Sequence, residues 1–216
     1  RYLMNLMAYF KPTWRLRYLY HQSSFSICKQ QKNLRKYSNL YKNKPIIVIG
    51  NGPSLNMTPL DDFQENISLG MNKIDLIFKK VKWRPNYILA TNKLVVRQNK
   101  RFYNSTNIKV LLSYKERWSI NKTDNIEFFL QKPSRNFSKN FNKGVGAAGT
   151  VAYACFQFAY FLGANPVIIF GFDHNFKYSG KENEIQVAYG KDKNHFDPTY
   201  FSNGNKWGLP NIRMIE

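Results

Sequence analysis

Two of the chain's three histidines, His174 and His195, fall in neighbouring polar segments, Gly171-Phe-Asp-His-Asn-Phe176 and Asn194-His-Phe-Asp-Pro-Thr-Tyr-Phe201. Each has an aspartate close by, Asp173 and Asp197. Imidazole titrates near neutral pH, so a histidine facing a ligand can take the proton of a sugar or alcohol hydroxyl as it becomes a nucleophile. Two His and two Asp also suit a metal, but the spacing lacks the i,i+4 or clustered pattern of a dedicated site. Proton transfer ranks first, with His195, His174 and Asp173 as candidate catalytic residues and no metal ligands.

A second feature is a place for an anion. Pro45-Ile-Ile-Val-Ile-Gly-Asn-Gly-Pro-Ser-Leu55 runs from a β-branched apolar stretch into a glycine turn, with Pro53 suited to the first turn of a helix. Strand, glycine turn and helix N-terminus together direct N–H groups at one spot, which favours a phosphate. The dinucleotide fingerprint fails here, because Leu55 stands where a third glycine is needed and Asn72 where an acid is needed. No Gly-Lys-Ser/Thr phosphate loop follows.

Gly144, Gly146 and Gly149 match G-x-G-x-x-G, with Asp173 at a suitable distance beyond, but polar residues precede them instead of an apolar strand. The physical content that survives is a glycine loop bearing Lys143 and feeding a helix near Thr150, a second anion cradle and a candidate lid. Gly70-Met-Asn72 and Ala90-Thr-Asn92 each put an amide just past a strand. Such an amide can bind a base edge or ribose without adding negative charge, or simply cap the next helix.

These residues need a frame. Strand signals at 45–50, 66–70, 86–91, 108–113, 126–130 and 166–171 alternate with helix signals near 54–64, 73–81, 93–103 and 148–163. Such alternation predicts an α/β fold: a single Rossmann-like domain whose mostly parallel sheet is covered by helices on both faces. Ligands then bind at the carboxyl ends of the strands. Residues 1–44 read as a separate basic aromatic extension and 45–216 as a Rossmann-like domain with a nucleotide as the first ligand to consider, with truncation at the C-terminus open.

Lys and Arg number 33 against 13 Asp and Glu, a net charge of +20, and no acid precedes Asp61. Such a field attracts anionic lipid, anionic glycan or nucleic acid. Nucleic acid ranks lower, because no recognised motif for it accompanies the charge. No run of 18 apolar residues exists, and Arg15 and Arg17 interrupt the one stretch resembling a leader. Cys28 and Cys155 are far apart and outside any ligand spacing, with Cys155 expected as a buried free thiol. The expectation is a cytoplasmic protein whose basic aromatic N-terminus either lies on the inner membrane face or packs on its own domain or on a neighbouring subunit. Homo-oligomerisation stays open.

Gly50-Asn-Gly-Pro-Ser-Leu55 resembles the opening motif of bacterial CMP-sialic acid-dependent sialyltransferases. It also resembles that of the wider domain family named after the archaeal 6-hydroxymethylpterin diphosphokinase (MptE-like), and motility-associated nonulosonate transferases share it. The likeness continues through Asn72, Asn92, Gly149-Thr-Val-Ala-Tyr153, Gly171 to Phe176 and Asn194 to Phe201, over roughly residues 45–210. The pair Asp-His-Asn-Phe and His-Phe-Asp-Pro is most similar to uncharacterised members from polysaccharide-biosynthesis clusters.

The resemblance implies a metal-independent glycosyltransferase with no resident cofactor. It would move an acidic sugar from a CMP-linked donor to a hydroxyl of a surface glycan or glycolipid. Gly50, Asn51, Gly52, Ser54, Asn72 and Asn92 would hold the donor, with Gly146, Gly149 and Thr150 on its far side and His195 as general base. The family's tyrosines that assist the departing phosphate have no match after Gly171; His174, Asn175 and then Tyr178 stand there. The alternatives are an ATP-dependent pterin pyrophosphokinase-like enzyme and a non-catalytic nucleotide or glycan binder.

Overall fold

The computed structural model describes residues 25–210 apart from Tyr178 and Asn203. Expectations that involve residues 1–24, Tyr178 and the closing residues 211–216 fall outside the described residues.

Six strands form one parallel sheet: β1 (Ile46–Ile49), β2 (Ser68–Met71), β3 (Tyr87–Ala90), β4 (Lys109–Ser113), β5 (Ile126–Phe129) and, later in the chain, β8 (Val167–Phe170). Their order is β5-β4-β3-β2-β1-β8. Between β5 and β8 lie β6 (Gln131–Lys132) and β7 (Val145–Gly146), a small parallel pair. After β8 come β9 (Ile185–Val187) and β10 (Lys206–Gly208), an antiparallel ribbon. The α-helices are α1 (Phe25–Leu34), α2 (Lys93–Gln98), α3 (Lys100–Ser105) and α4 (Val151–Leu162).

The α/β reading holds, and the β-branched run explains why. In β1, Ile47 and Ile49 point to one face with Ile88, Ala90, Val110, Leu112 and Trp83, while Ile46 and Val48 point to the other with Leu89, Leu111, Phe158 and Leu162. A strand with period two and both faces buried has no polar position to place, so it reads as an unbroken apolar run. β8, at the sheet edge, differs: Val167, Ile168 and Ile169 are exposed.

Two expected helices are not α-helical. The 54–64 segment is a pair of 3-10 turns, Pro53–Met57 and Leu60–Phe63, broken at Thr58, whose extended backbone is what a residue before proline prefers. The 73–81 segment is a 3-10 helix, Ile74–Lys79. With three residues per turn its two buried isoleucines, Ile74 and Ile77, share one face. The expected 93–103 helix divides at Asn99 into α2 and α3. Helix α4 ends as the sequence predicts, with Gly163 in the left-handed region at φ 87°.

The described part of the basic extension packs onto this body. Leu34 and Tyr37 are buried, and the Tyr37 hydroxyl donates to Glu127 Oε1 at 2.9 Å while Lys36 Nζ donates to the same oxygen at 2.7 Å. Backbone N–H groups of Asn39, Tyr41 and Asn43 donate to the carbonyls of Phe161, Leu162 and Gly163, each at 2.8 Å. Those are the carbonyls that a helix C-terminus leaves unpaired, so residues 39–43 finish α4.

Candidate functional site

β1 carries β2 on one side and β8 on the other, with the intervening strands laid out in a single direction from β2 to β5. The strand order therefore reverses between β1 and β8, and the crevice beyond the carboxyl ends of strands at such a point is where open α/β sheets bind ligands. A cleft of about 980 Å³ opens there. Gly50, Asn51, Gly52, Ser54, Asn72, Asn92, Gly149, Thr150, Asp173, His174 and His195 all line it.

The glycine turn does a different job from the expected one. The N–H groups of Gly50 and Gly52 donate to Phe170 O and Gly171 O, and that of Ser54 to Asp173 Oδ2 at 3.0 Å. A Cβ on Gly50 would lie 2.3 Å from Gly171 O, and one on Gly52 would lie 1.9 Å from Asp173 Oδ2. The glycines thus let the chain after β1 press against the chain after β8, and a carboxylate already takes the Ser54 N–H. The turn continues as five residues of 3-10 helix, too short for an appreciable dipole.

The helix N-terminus that borders the cleft lies across from this turn, at α4. Thr150 caps this helix through Oγ1, which accepts from the Tyr153 N–H at 3.3 Å, and Ala148 to Tyr153 line the cleft. Among the described hydrogen bonds the N–H groups of Val151 and Ala152 have no acceptor, as expected of a first helical turn. Gly146 is buried away from the cleft, tied by both backbone groups to the Gln157 amide. Lys143 is exposed and outside the cleft lining, whereas Lys177 and Lys193 belong to it.

Three strand-end asparagines behave differently from one another. Asn92 caps α2, its Oδ1 accepting from Leu94 N at 2.8 Å, which leaves its amide N–H₂ for the cleft. Asn51 Nδ2 donates to Met71 O at 3.1 Å, which fixes the amide orientation, and its buried Oδ1 has no partner among the described residues. Asn72, at φ 50°, also keeps a buried Oδ1 without a partner. Two such acceptors beside a cleft call for hydrogen-bond donors from a ligand or from water.

His195 is the better placed of the two histidines. Its Nδ1 lies 2.8 Å from Asp192 Oδ2, its ring stacks on Tyr200 at 3.8 Å and 1°, and Phe201 meets it edge-on. A carboxylate at that distance holds the proton on Nδ1, leaving Nε2 able to accept one. Burial alone would raise the Asp192 carboxyl, but the bond and charge of His195 and the N–H groups of Asn194 and Phe201 outweigh it and hold the acid below its ordinary range. Beneath the stack, Lys73 Nζ donates to Tyr200 O at 2.6 Å and sits 4.7 Å from the Phe201 ring centroid. Burial brings this ammonium down to about 8, against the opposing charges of Asp75 and Asp192.

His174, in contrast, is exposed and carries a left-handed backbone at φ 49°. Asp197 is fully buried, accepts from Thr199 N and Oγ1 at 2.8 and 2.5 Å, and pairs with Lys79 at 2.7 Å, so it braces its loop and stays out of the cleft. The orienting acid is Asp192, which sequence reasoning passed over together with Tyr200 and Lys73. The i,i+3 spacing of Asp192 and His195 was the available signal. Among the described residues no cluster of three His, Cys, Asp or Glu could hold a metal, and no helix is long and apolar enough to cross a membrane.

No protein-family model matches this chain, and no curated protein matches it in sequence. Among solved structures it is similar to the MAf glycosyltransferase from Magnetospirillum magneticum AMB-1, at 13% identity and a TM-score of 0.48. That likeness covers 88% of this chain and 33% of the other, so the chain spans about a third of that protein's length.

Proposed function

We propose that the protein is a glycosyltransferase using a nucleotide-activated sugar, with a CMP-linked acidic sugar as donor and a glycan or glycolipid hydroxyl as acceptor. The observation that carries this reading is the Asp192–His195 pair at a cleft whose other walls are the α4 N-terminus and the unpartnered amide oxygens of Asn51 and Asn72. The asparagines suit ribose or base donors, and the first turn of α4 with Lys193 suits the phosphate. The motif resemblance through Asn51, Asn72 and Asn92 points the same way.

In this reading the acceptor hydroxyl gives its proton to His195 Nε2 while its oxygen bonds to the anomeric carbon. The bond from that carbon to the donor phosphate breaks, and its electron pair leaves with the phosphate oxygen. Helix N–H groups stabilise the charge that develops there. Asp192 steadies the imidazolium without itself taking the proton.

Calorimetry with CMP, CDP and ATP tests the donor. CMP or CDP binding is expected, and binding of ATP alone would reject the reading in favour of a pyrophosphokinase. CMP binding without any turnover of a CMP-activated sugar would mark a binder instead of an enzyme.

A further inference from the structure

The β9–β10 ribbon has two unlike faces. Its register sets Trp207 opposite Gln186, and Trp207 lines the cleft. Ile185 and Val187, opposite Gly208 and Lys206, therefore point away from the cleft and are 62% and 40% exposed. Tyr189, at the same parity just beyond the strand, is 85% exposed. One exposed apolar side chain is ordinary, but two at alternate positions of a strand with a third just past its end are a patch that needs explaining.

Charge surrounds one end of that patch. Lys191 follows Tyr189, and Lys206 stands opposite Val187. The ribbon's acids, Glu182 and Glu184, lie at its other end, where Glu184 Oε2 accepts from the Lys181 N–H at 2.9 Å. Met57, 83% exposed, adds an apolar side chain to the lining of the same cleft. Rings and aliphatic groups beside long-stemmed ammonium groups match the layering of an anionic bilayer, apolar groups at the acyl boundary and cations among the phosphates. Three side chains are too few for a stable protein interface, which buries about 800 Å² on each partner.

We propose that the outer face of β9–β10 docks the cleft onto an anionic lipid surface, which deepens the reading above by making the acceptor lipid-linked. The segment joining the two strands carries Asp192 and His195, and the ribbon's inner face supplies a cleft wall. Docking the ribbon holds the segment that carries the base near the layer where a lipid-linked hydroxyl resides.

The test uses the full chain with Cys28→Ser, since Cys155 is buried and unreactive. Tyr189→Cys, or Trp118→Cys as an exposed control outside the ribbon, is labelled with an environment-sensitive dye. Phosphatidylcholine vesicles are then added with and without phosphatidylglycerol. The probe at 189 is expected to brighten and shift to the blue on anionic vesicles only, and the probe at 118 to stay unchanged. The triple variant Ile185→Ser, Val187→Ser, Tyr189→Ser should partition onto anionic vesicles on the order of ten-fold more weakly. Its thermal shift with CMP should equal that of the parent.

Equal responses of the two probes, or unchanged partitioning of the triple variant, would overturn the proposal. So would a concentration-dependent dimer that the triple variant abolishes, because the face would then belong to a second copy. Failure of CMP binding in the parent with the 189 response intact would instead remove the proposed donor and leave the docking surface standing.

Discussion

The backbone N–H of Phe196 donates to the carbonyl oxygen of Asn51 at 3.0 Å, fastening the loop that carries His195 to the glycine turn after β1. A second bond, Asn56 Nδ2 to Phe196 O at 2.8 Å, doubles the attachment. The candidate base is thereby held to the same turn that supplies the Asn51 amide, so base and ligand share one rigid reference. Asn51→Ala removes the side-chain bond to Met71 O and the free amide oxygen while leaving the backbone bond. It should cost about 1–2 kcal/mol in a urea melt and weaken nucleotide binding, with turnover at saturation much less affected.

His195→Ala should lower turnover by roughly 10²–10⁴ and leave nucleotide affinity nearly unchanged. Asp192→Asn should lower turnover too, because an amide no longer holds the proton on Nδ1. His174→Ala serves as the control. A drop in melting temperature as large as the drop in rate would show His195 to be a structural residue.

Acid melts give the Asp192 pair a signature. Its carboxyl lies below the ordinary range in the fold, so the stability it contributes is present above the unfolded value and is lost as pH falls through the folded one. Melting temperatures of the parent and Asp192→Asn should differ most near neutral pH and converge toward strongly acidic pH.

Lys73 runs with the opposite slope. Its folded value of about 8 lies below the ordinary 10.5, so between these the unfolded chain holds a proton that the folded chain has released. Stability from this group rises with pH across that window and is flat below it. The parent should gain ~1–3 kcal/mol over Lys73→Met between pH 7 and pH 10, read from paired urea melts.

The two glycines of the turn should respond differently to repair. Gly52→Ala collides chiefly with a side chain, Asp173 Oδ2 at 1.9 Å, and less closely with the Gly171 carbonyl oxygen at 2.9 Å, so adding Asp173→Ala should recover part of the lost stability. Gly50→Ala collides with the backbone oxygen of Gly171, and no side-chain change relieves that. Thermal melts of the singles and the double decide it.

Deletion separates the described and undescribed parts of the basic extension. Removing residues 1–44 takes away Leu34, Tyr37 and the partners of the α4 carbonyls, and should lower the melting temperature sharply. Any vesicle-binding comparison therefore needs the shorter deletion of residues 1–24.

The sheet was legible because both-face burial leaves an unbroken apolar run, and all six parallel strands stand where Ile46–Ile49 and its counterparts predict. Helix type was not, since Thr58 and Pro59 interrupt a pattern whose apolar spacing alone suits an α-helix. His195 could be singled out by its chemistry and its place past a strand. Asp192 left only its i,i+3 spacing as a signal, because Asp197 lies at least as near His195 in sequence and only the folded loop shows which carboxylate meets the ring. The glycine turn was legible only in part: Gly50 and Gly52 signal close approach, but sequence does not say whether a ligand or Asp173 makes it.

The placement of β8 beside β1 has a consequence in time. A nascent chain that has delivered β1 to β5 still presents one side of β1 bare, and Asn51, Gly52 and Ser54 have no chain after β8 to meet. At translation rates of about 5–20 residues per second, that condition lasts on the order of ten seconds. The cleft thus closes only after β8 and the segment bearing His195 have been made. Ligand can stabilise only a molecule whose synthesis has passed His195, and an apolar strand edge must be shielded until then.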